Sequence, residues 1–367
     1  MKVHIFPFIL VLSLFCSCGA DNDTEKKSLS EVKQELADYS FSEHDNLKFA
    51  CSVPEISADK VYTVTMKSRL VTDDDESRQM LLDLVNSSFG TNESFDRTSL
   101  MEFDGVVDCA YMEGSPGGLF YKGCSVFQLW DYPDGYNYGR ETDPPRVYTS
   151  YPVTELPEER FEMFDGSTLT VREAAEDAEK YLEKLKPFLN DDAGWRLKGA
   201  CIEAIEGQNN AIFLRYENVF DGLPVSDDAY ITDDRTVDTV LCPQLQLLFT
   251  GKNRLTEMYN KYHCLIDKKE ELSKLLPLSE AERLASEALA PKAEYTVTEA
   301  DLKYVCVTRQ GEDIRVYRPM WSFTLKAYPP IPESRDLFPR LMCFVDAADG
   351  TVRLSDGMKG ELSVFEG

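Results

Sequence analysis

The chain has 367 residues, enough for two or three domains with real cores, and its 43% hydrophobic and 28% charged content is that of a globular protein rather than a disordered one. Its formal net charge of -26 excludes a nucleic-acid binder in the ordinary sense, because phosphates want a basic face, and it works against adsorption to anionic lipid. The charge favours solubility at a crowded surface, or a cationic or basic partner.

The chain begins like an export signal. Lys2 gives a positive start, and the apolar run over residues 5–15 is too short to span a bilayer but suits a signal core. Phe15-Cys16-Ser17-Cys18-Gly19 follows, and residues 1–18 resemble a bacterial lipoprotein signal. The resemblance implies that Cys18, which follows a small residue, is lipidated and becomes the mature N-terminus. Phe15 stands where the pattern usually has Leu, so an ordinary cleaved signal is the alternative. No later apolar run reaches transmembrane length. The implied location is the extracytoplasmic face of the cell membrane, with the lipid as anchor. Residues 19–46 are polar and charged, and read as a tether with a short helix over 29–36.

Residues 47–165 are expected to form an N-terminal α+β domain. Val61-Tyr62-Thr63-Val64-Thr65-Met66 has the composition of a strand. Asp73-Asp74-Asp75-Glu76 precedes an apolar helical pattern over 80–85. Acids in a first helical turn suit the helix dipole, whereas the Asp/Gly spacing of a calcium loop is missing. Two β-rich runs then flank Gly114-Ser115-Pro116-Gly117-Gly118. With the turn between Pro116 and Gly117, Cys109 falls opposite Cys124, at a separation suited to a disulfide. Residues 130–153 are rich in Tyr, Gly, Asp and Pro. Trp130, Tyr132, Tyr136 and Tyr138 are the candidate ligand-contact residues, for a peptide or a glycan. The alternative is that this loop packs onto its own domain.

The rest of the chain contains one block twice, over 166–273 and 274–367. Thr170-x-x-Glu173 and Ser279-x-x-Glu282 have the form of capping boxes, each followed by an amphipathic Ala/Leu-rich stretch that ends near a proline. Matched strands come next: Leu197 to Cys201 parallels Leu302 to Cys306, and the same offset of 105 puts Tyr216 on Trp321. Cys242 and Cys343 match with a slightly smaller offset. The expected disulfides are Cys201–Cys242 and Cys306–Cys343, with Cys51 and Cys264 left over; the alternative is buried free thiols. Asp346-Ala347-Ala348-Asp349-Gly350 reads as a turn between strands.

The stretches Arg215 to Val225, Tyr317 to Phe323 and Phe344 to Gly350 resemble the central strand and turn of PepSY-like domains. The resemblance runs from about residue 166 to the end, and the whole chain is similar to uncharacterised lipoproteins of Gram-positive gut bacteria. It implies two helix-on-antiparallel-sheet repeats forming a non-catalytic module. In relatives such modules bind or restrain proteases or modulate envelope signalling.

Signatures of chemistry are sparse. Past the signal the histidines are His44 and His263, the latter beside Cys264 in what reads as a polar helical stretch. There is no nucleophile elbow, phosphate loop, dinucleotide fingerprint or paired-His zinc motif, so neither a cofactor nor a metal is expected. The expectation is therefore an α+β, lipid-anchored, non-enzymatic surface protein with a protein or peptide partner in the envelope. A carbohydrate- or peptide-capturing lipoprotein is the runner-up, followed by an Asp/Glu-dependent hydrolase.

Overall fold

In the computed structural model the described residues are 25–68, 75–92, 94, 98–103, 107–112, 116–121, 126–134, 136, 146–186, 193–205, 210–232, 244–261, 264–289, 294–308, 314–328, 341–356 and 362–363. They form a mixed α+β fold, mostly sheet. The helices are α1 (Leu29–Ala37), α2 (Asp75–Phe89), α3 (Val171–Leu185) and α4 (Leu278–Ala288). The strands before α3 are β1 (Leu47–Phe49), β2 (Tyr62–Ser68), β3 (Thr98–Phe103), β4 (Val107–Met112), β5 (Gly117–Tyr121), β6 (Val126–Trp130), β7 (Arg146–Pro152), β8 (Phe161–Glu162) and β9 (Thr168–Leu169). Between α3 and α4 run β10 (Ala193–Ile205), β11 (Ala211–Phe220), β12 (Leu223–Thr232), β13 (Gln244–Gly251), β14 (Arg254–Lys261) and β15 (Cys264–Glu271). After α4 come β16 (Glu294–Thr308), β17 (Ile314–Tyr328), β18 (Leu341–Asp346), β19 (Val352–Asp356) and β20 (Leu362–Ser363).

Local chemistry sets the helix starts. Thr170 and Glu173 form the expected capping box, each side chain bonding the other's backbone N–H. Ser28 and Glu31 form another at α1. The box expected at Ser279 and Glu282 is absent. Helix α4 starts two residues earlier, at Leu278 behind Pro277, and Glu282 turns inward as a buried residue. Proline suits this place because its φ is preset and the helix start needs no donor there.

The two helices head matching sets of strands. After α3, β10 pairs with β11, β11 with β13 and β13 with β14, all antiparallel. After α4, β16 pairs with β17, β17 with β18 and β18 with β19, again antiparallel. Leu197 lies opposite Tyr216 and Leu302 opposite Trp321, so the two ladders share a register at the matched aromatic. Each aromatic is buried in the core that includes the helix preceding it. Tyr216 shares one with Ala174, Ala178 and Leu182 of α3, and Trp321 the other with Ala281 and Ala285 of α4. Trp321 also donates from Nε1 to the Leu276 carbonyl oxygen at 2.8 Å.

Residues 47–165 do not form the separate domain expected of them. Strand β2 pairs with β15 and β17, so it belongs to the second core. Strands β6 and β7 pair with β14 and β10 of the first. The tether reading also fails beyond residue 25. Lys27 bridges to Leu275, Val32 is buried, and Leu29, Leu36, Tyr39 and Phe41 pack on the second core. The apolar stripe of α1 has a face to bury, and the second core provides the place.

The cysteine pairings are revised as well. Cys109 lies opposite Tyr121, three residues from the expected partner; Cys124 and Cys242 lie outside the described residues. Cys306 and Cys343 are buried on β16 and β18, with β17 between them, and neither they nor Cys51 and Cys201 are in a disulfide. Cys306 faces Tyr317 and Cys343 faces Phe323, positions six residues apart on β17. At about 3.4 Å of rise per residue that offset alone is roughly 20 Å, far beyond disulfide reach. No disulfide occurs among the described residues. Cys264 opens β15 opposite Ser68, and the stretch before it, through Asn260 and Lys261, is strand rather than helix.

The two cores are joined at a tight turn. Asp221 and Gly222 have φ of 47° and 83°, the left-handed pair of a two-residue hairpin loop between Phe220 and Leu223. Strand β12 then leaves the first sheet and runs parallel to β16 of the second. A Cβ on Gly222 would lie 2.8 Å from the Ala58 Cα, so backbone fills the space where a side chain would go. Ser57 donates to the Gly222 carbonyl oxygen at 2.7 Å, and Lys269 pairs with Asp221 at 2.9 Å above the Phe220 ring. Gly222→Ala is expected to cost about 2–4 kcal/mol, the sum of left-handed strain and displaced backbone. Gly166→Ala, at φ 80° with nothing within 4 Å of its new Cβ, should cost only about 1–2 kcal/mol. Urea denaturation of the two variants distinguishes the terms; equal losses would show that the Ala58 contact contributes nothing.

Candidate functional site

Tyr132 and Tyr136 sit on the face of the first sheet turned away from α3. Along β10, Ala200 and Ile202 face the core beneath α3, so the alternation points Cys201 and Glu203 the other way. On β14 the same logic separates Met258, in that core, from Glu257. Both glutamates are buried, at 2% and 5% exposure, which is costly for a carboxylate without partners.

The loop supplies those partners. The Tyr136 hydroxyl donates to Glu203 Oε2 at 2.5 Å, and Tyr148, on β7, reaches Oε1 at 3.4 Å. The Tyr132 hydroxyl donates to Glu257 Oε2 at 2.6 Å while Gln128 Nε2 donates to Oε1 at 2.7 Å. Tyr132 and Tyr136 stack with centroids 5.9 Å apart, and Tyr136 meets Phe164 edge-on at 5.5 Å. Tyr136 shares a small apolar cluster with Ala211 and Leu248. Burial, followed by the nearby Glu203 charge, pushes the Glu257 carboxyl above its ordinary range, against the pull of its two donors. Trp130 ends β6 opposite Gly117, where a Cβ would lie 2.8 Å from the indole ring.

The expected ligand-contact residues are therefore largely spent inside the protein. Tyr136 is buried, Tyr132 is committed to Glu257, and Trp130 is half-buried; Tyr138 lies outside the described residues. Nothing in the local sequence marks Glu203 and Glu257 as buried, because each reads as the polar member of an alternating strand. Their strands have β11 and β13 between them, three spacings or roughly 14 Å at the backbone. Both oxygens of each carboxylate already accept from a side chain, which suits a structural role for the pair.

A second polar cluster pins the N-terminal segment to α4. Glu282 accepts from the Tyr39 hydroxyl at 2.8 Å and the Ser42 N–H at 3.2 Å, with His44 Nε2 at 3.7 Å. Burial raises the Glu282 carboxyl above its usual range. Nearby Cys51 is pushed up to about 11 by burial and by the charges of Glu299 and Glu282. A thiol held that high is protonated at neutral pH, the opposite of an activated nucleophile. A third cluster links β10 to β16. Arg196 on β10 pairs with Glu217 at 2.6 Å and with Asp301 of β16 at 3.6 Å. Asp301 is raised to about 6 by burial, with Lys303 and Arg196 pulling it down and Glu217 and Glu299 pushing it up. Among the described residues no group of three or more His, Cys, Asp or Glu side chains is placed to hold a metal ion, and no helix is long and apolar enough to cross a membrane.

Comparison with known proteins fits this as a fold without an assigned activity. No protein-family model matches the chain, and no curated protein matches it. Among solved structures, an uncharacterized protein from Eubacterium rectale is 12% identical with a TM-score of 0.58, over 88% of this chain and 97% of that one. That likeness is one of fold alone. The Bacillus megaterium YpeB C-terminal domain is 10% identical over 82% of this chain and 100% of that one, with a TM-score of 0.31 at which the two folds are not equated.

Two outcomes test these assignments. Tyr136→Phe keeps the ring packing but removes a donor from a buried carboxylate, and should cost about 1–3 kcal/mol in chemical denaturation; no loss would mean Glu203 is held by other groups. Asp301 binds its proton more tightly in the folded chain than in the unfolded one. Its contribution to stability is thus full below its ordinary value near 4 and fades as pH climbs through about 6. Asp301→Asn should remove that fade, flattening stability against pH across this window; an unchanged profile would refute the assignment.

Proposed function

We propose that the chain is a non-catalytic, lipid-anchored binding or regulatory protein on the extracytoplasmic face of the cell membrane, built from two PepSY-like helix-on-sheet repeats. The observation that carries the binding reading is where exposed apolar side chains lie. Among the described residues the large hydrophobics that stand out into solvent are Val147 (58% exposed), Tyr148 (53%) and Val153 (46%), all on β7 or the turn after it. On so acidic a chain, exposed apolar side chains gathered on one strand and the turn after it suit a contact surface rather than a solubility device. The matched order of helix and antiparallel strands after α3 and α4 supports the repeat reading, as do the PepSY-like stretches at Arg215 and Tyr317.

The runner-up, glycan or peptide capture through the 130–140 loop, requires Tyr132 and Tyr136 to abandon the buried glutamates they satisfy. The binding reading is tested by photo-crosslinking at Val147 in living cells. A discrete protein adduct is expected, competed by excess unlabelled chain; an even smear of neighbours would remove the reading. The anchor has its own test. Cys18→Ala should move the protein from the membrane fraction to the soluble one, and retention in the membrane would overturn lipidation at this residue.

A further inference from the structure

Strand β7 lies at an edge of the first sheet. Among the described residues β10 is its one partner, pairing from Arg146–Ile205 through Pro152–Gly199. Residues 147–150 are exposed on both faces of the strand: Val147 and Thr149 point to the side of α3, beyond its cover, and Tyr148 and Ser150 point the other way. From Val147 to Val153 there is no charged residue. Edge strands in soluble proteins are normally blunted by lysines, inward charges, bulges or cover. On β7 such features stand only at the two ends, Arg146 at the start and Pro152 at the far end.

Pro152 also shows which amides face outward. An antiparallel strand turns alternate residues' N–H and C=O groups toward its partner and the rest away. Pro152 has no N–H to offer Gly199, which puts it among those turned away. Ser150, two residues earlier, shares that phase.

The charge around the strand selects the occupant. Beyond its C-terminal end come exposed Glu155, Glu158 and Glu159, on a chain of net charge -26. A second copy would bring the same carboxylates and the same charge. A segment with lysine or arginine at that end meets them favourably, and an uncharged β-branched centre matches Val147, Thr149 and Ser150. We propose that β7 takes up an extended, basic-ended segment of another protein as an added strand. Main-chain hydrogen bonds supply the affinity, and Glu155, Glu158 and Glu159 set the partner's polarity. This deepens the binding reading above and rests on it.

The probe is a short synthetic peptide of alternating Val and Thr ended by two lysines, titrated against the full chain by fluorescence anisotropy. Saturable binding is expected. It should weaken about tenfold or more when the peptide ends in two glutamates, when its alternate amides are N-methylated, and in Ser150→Pro, whose melting temperature should be near that of the parent chain. If Ser150→Pro fails to fold, the N-methylated peptide against the parent chain decides. Absence of saturation, equal binding of the glutamate-ended or N-methylated peptide, or a self-dimer by sedimentation that a β7 substitution abolishes would each overturn the inference. A crosslinked partner whose adduct survives Ser150→Pro would leave the binding reading standing and remove this one alone.

Discussion

The two halves of this protein hold together because one strand leaves its sheet and enters the next. The turn at Asp221 and Gly222 makes this possible. It reverses the chain within two residues, at backbone angles that suit glycine, and lets the 52–60 segment lie directly against it. Strand β12 then pairs with β16, while the Lys269 ammonium neutralises Asp221 above the Tyr62 and Phe220 rings of the second core. Coulomb attraction, cation–π contact and main-chain pairing converge on a few residues, so they are difficult to lose singly. Without the turn, the second sheet would lose β12, and the first would lose one of its covalent entries into that sheet.

The buried polar clusters extend the same logic. Glu203, Glu257 and Glu282 are carboxylates taken out of water, each answered by hydroxyl or amide donors from a distant stretch of chain. Such groups add little net stability compared with apolar packing. They penalise arrangements that leave them unpartnered, and so select one docking of the loop or strap over others. The tyrosines at 132 and 136 are therefore fasteners.

Much of the architecture could be read from the residues. The Thr170 and Glu173 box, the α3 stripe and the Leu197/Tyr216 to Leu302/Trp321 match are local or periodic features, and the fold uses them as written. What could not be read depended on partners far away in the chain. Ser279-x-x-Glu282 has the form of a capping box, yet Glu282 is drawn inward by Tyr39 and Ser42 some 240 residues earlier. The polar stretch before residue 46 looked like a linker because its few apolar residues were too sparse to signal burial alone. The cysteines misled for another reason. Matched positions do not have matched surroundings: Cys201 points away from the first core, whereas Cys306 and Cys343 are buried among the apolar side chains of the second. The candidate site was the least legible part, since exposure of an edge depends on which strand ends up outermost.

The return of the N-terminal segment onto the second core has a mechanical consequence. A chain held at its start and loaded at its body would carry tension through the Lys27–Leu275 bridge and α1 before any sheet is strained. Peeling that strap would uncover the seats of Val32 and Tyr39 and strand Glu282 without its donors, a state that snaps back once the load is removed. The strap is thus the element nearest the start of the chain, and its seat is apolar surface and a carboxylate that its own hydroxyl and N–H groups cover.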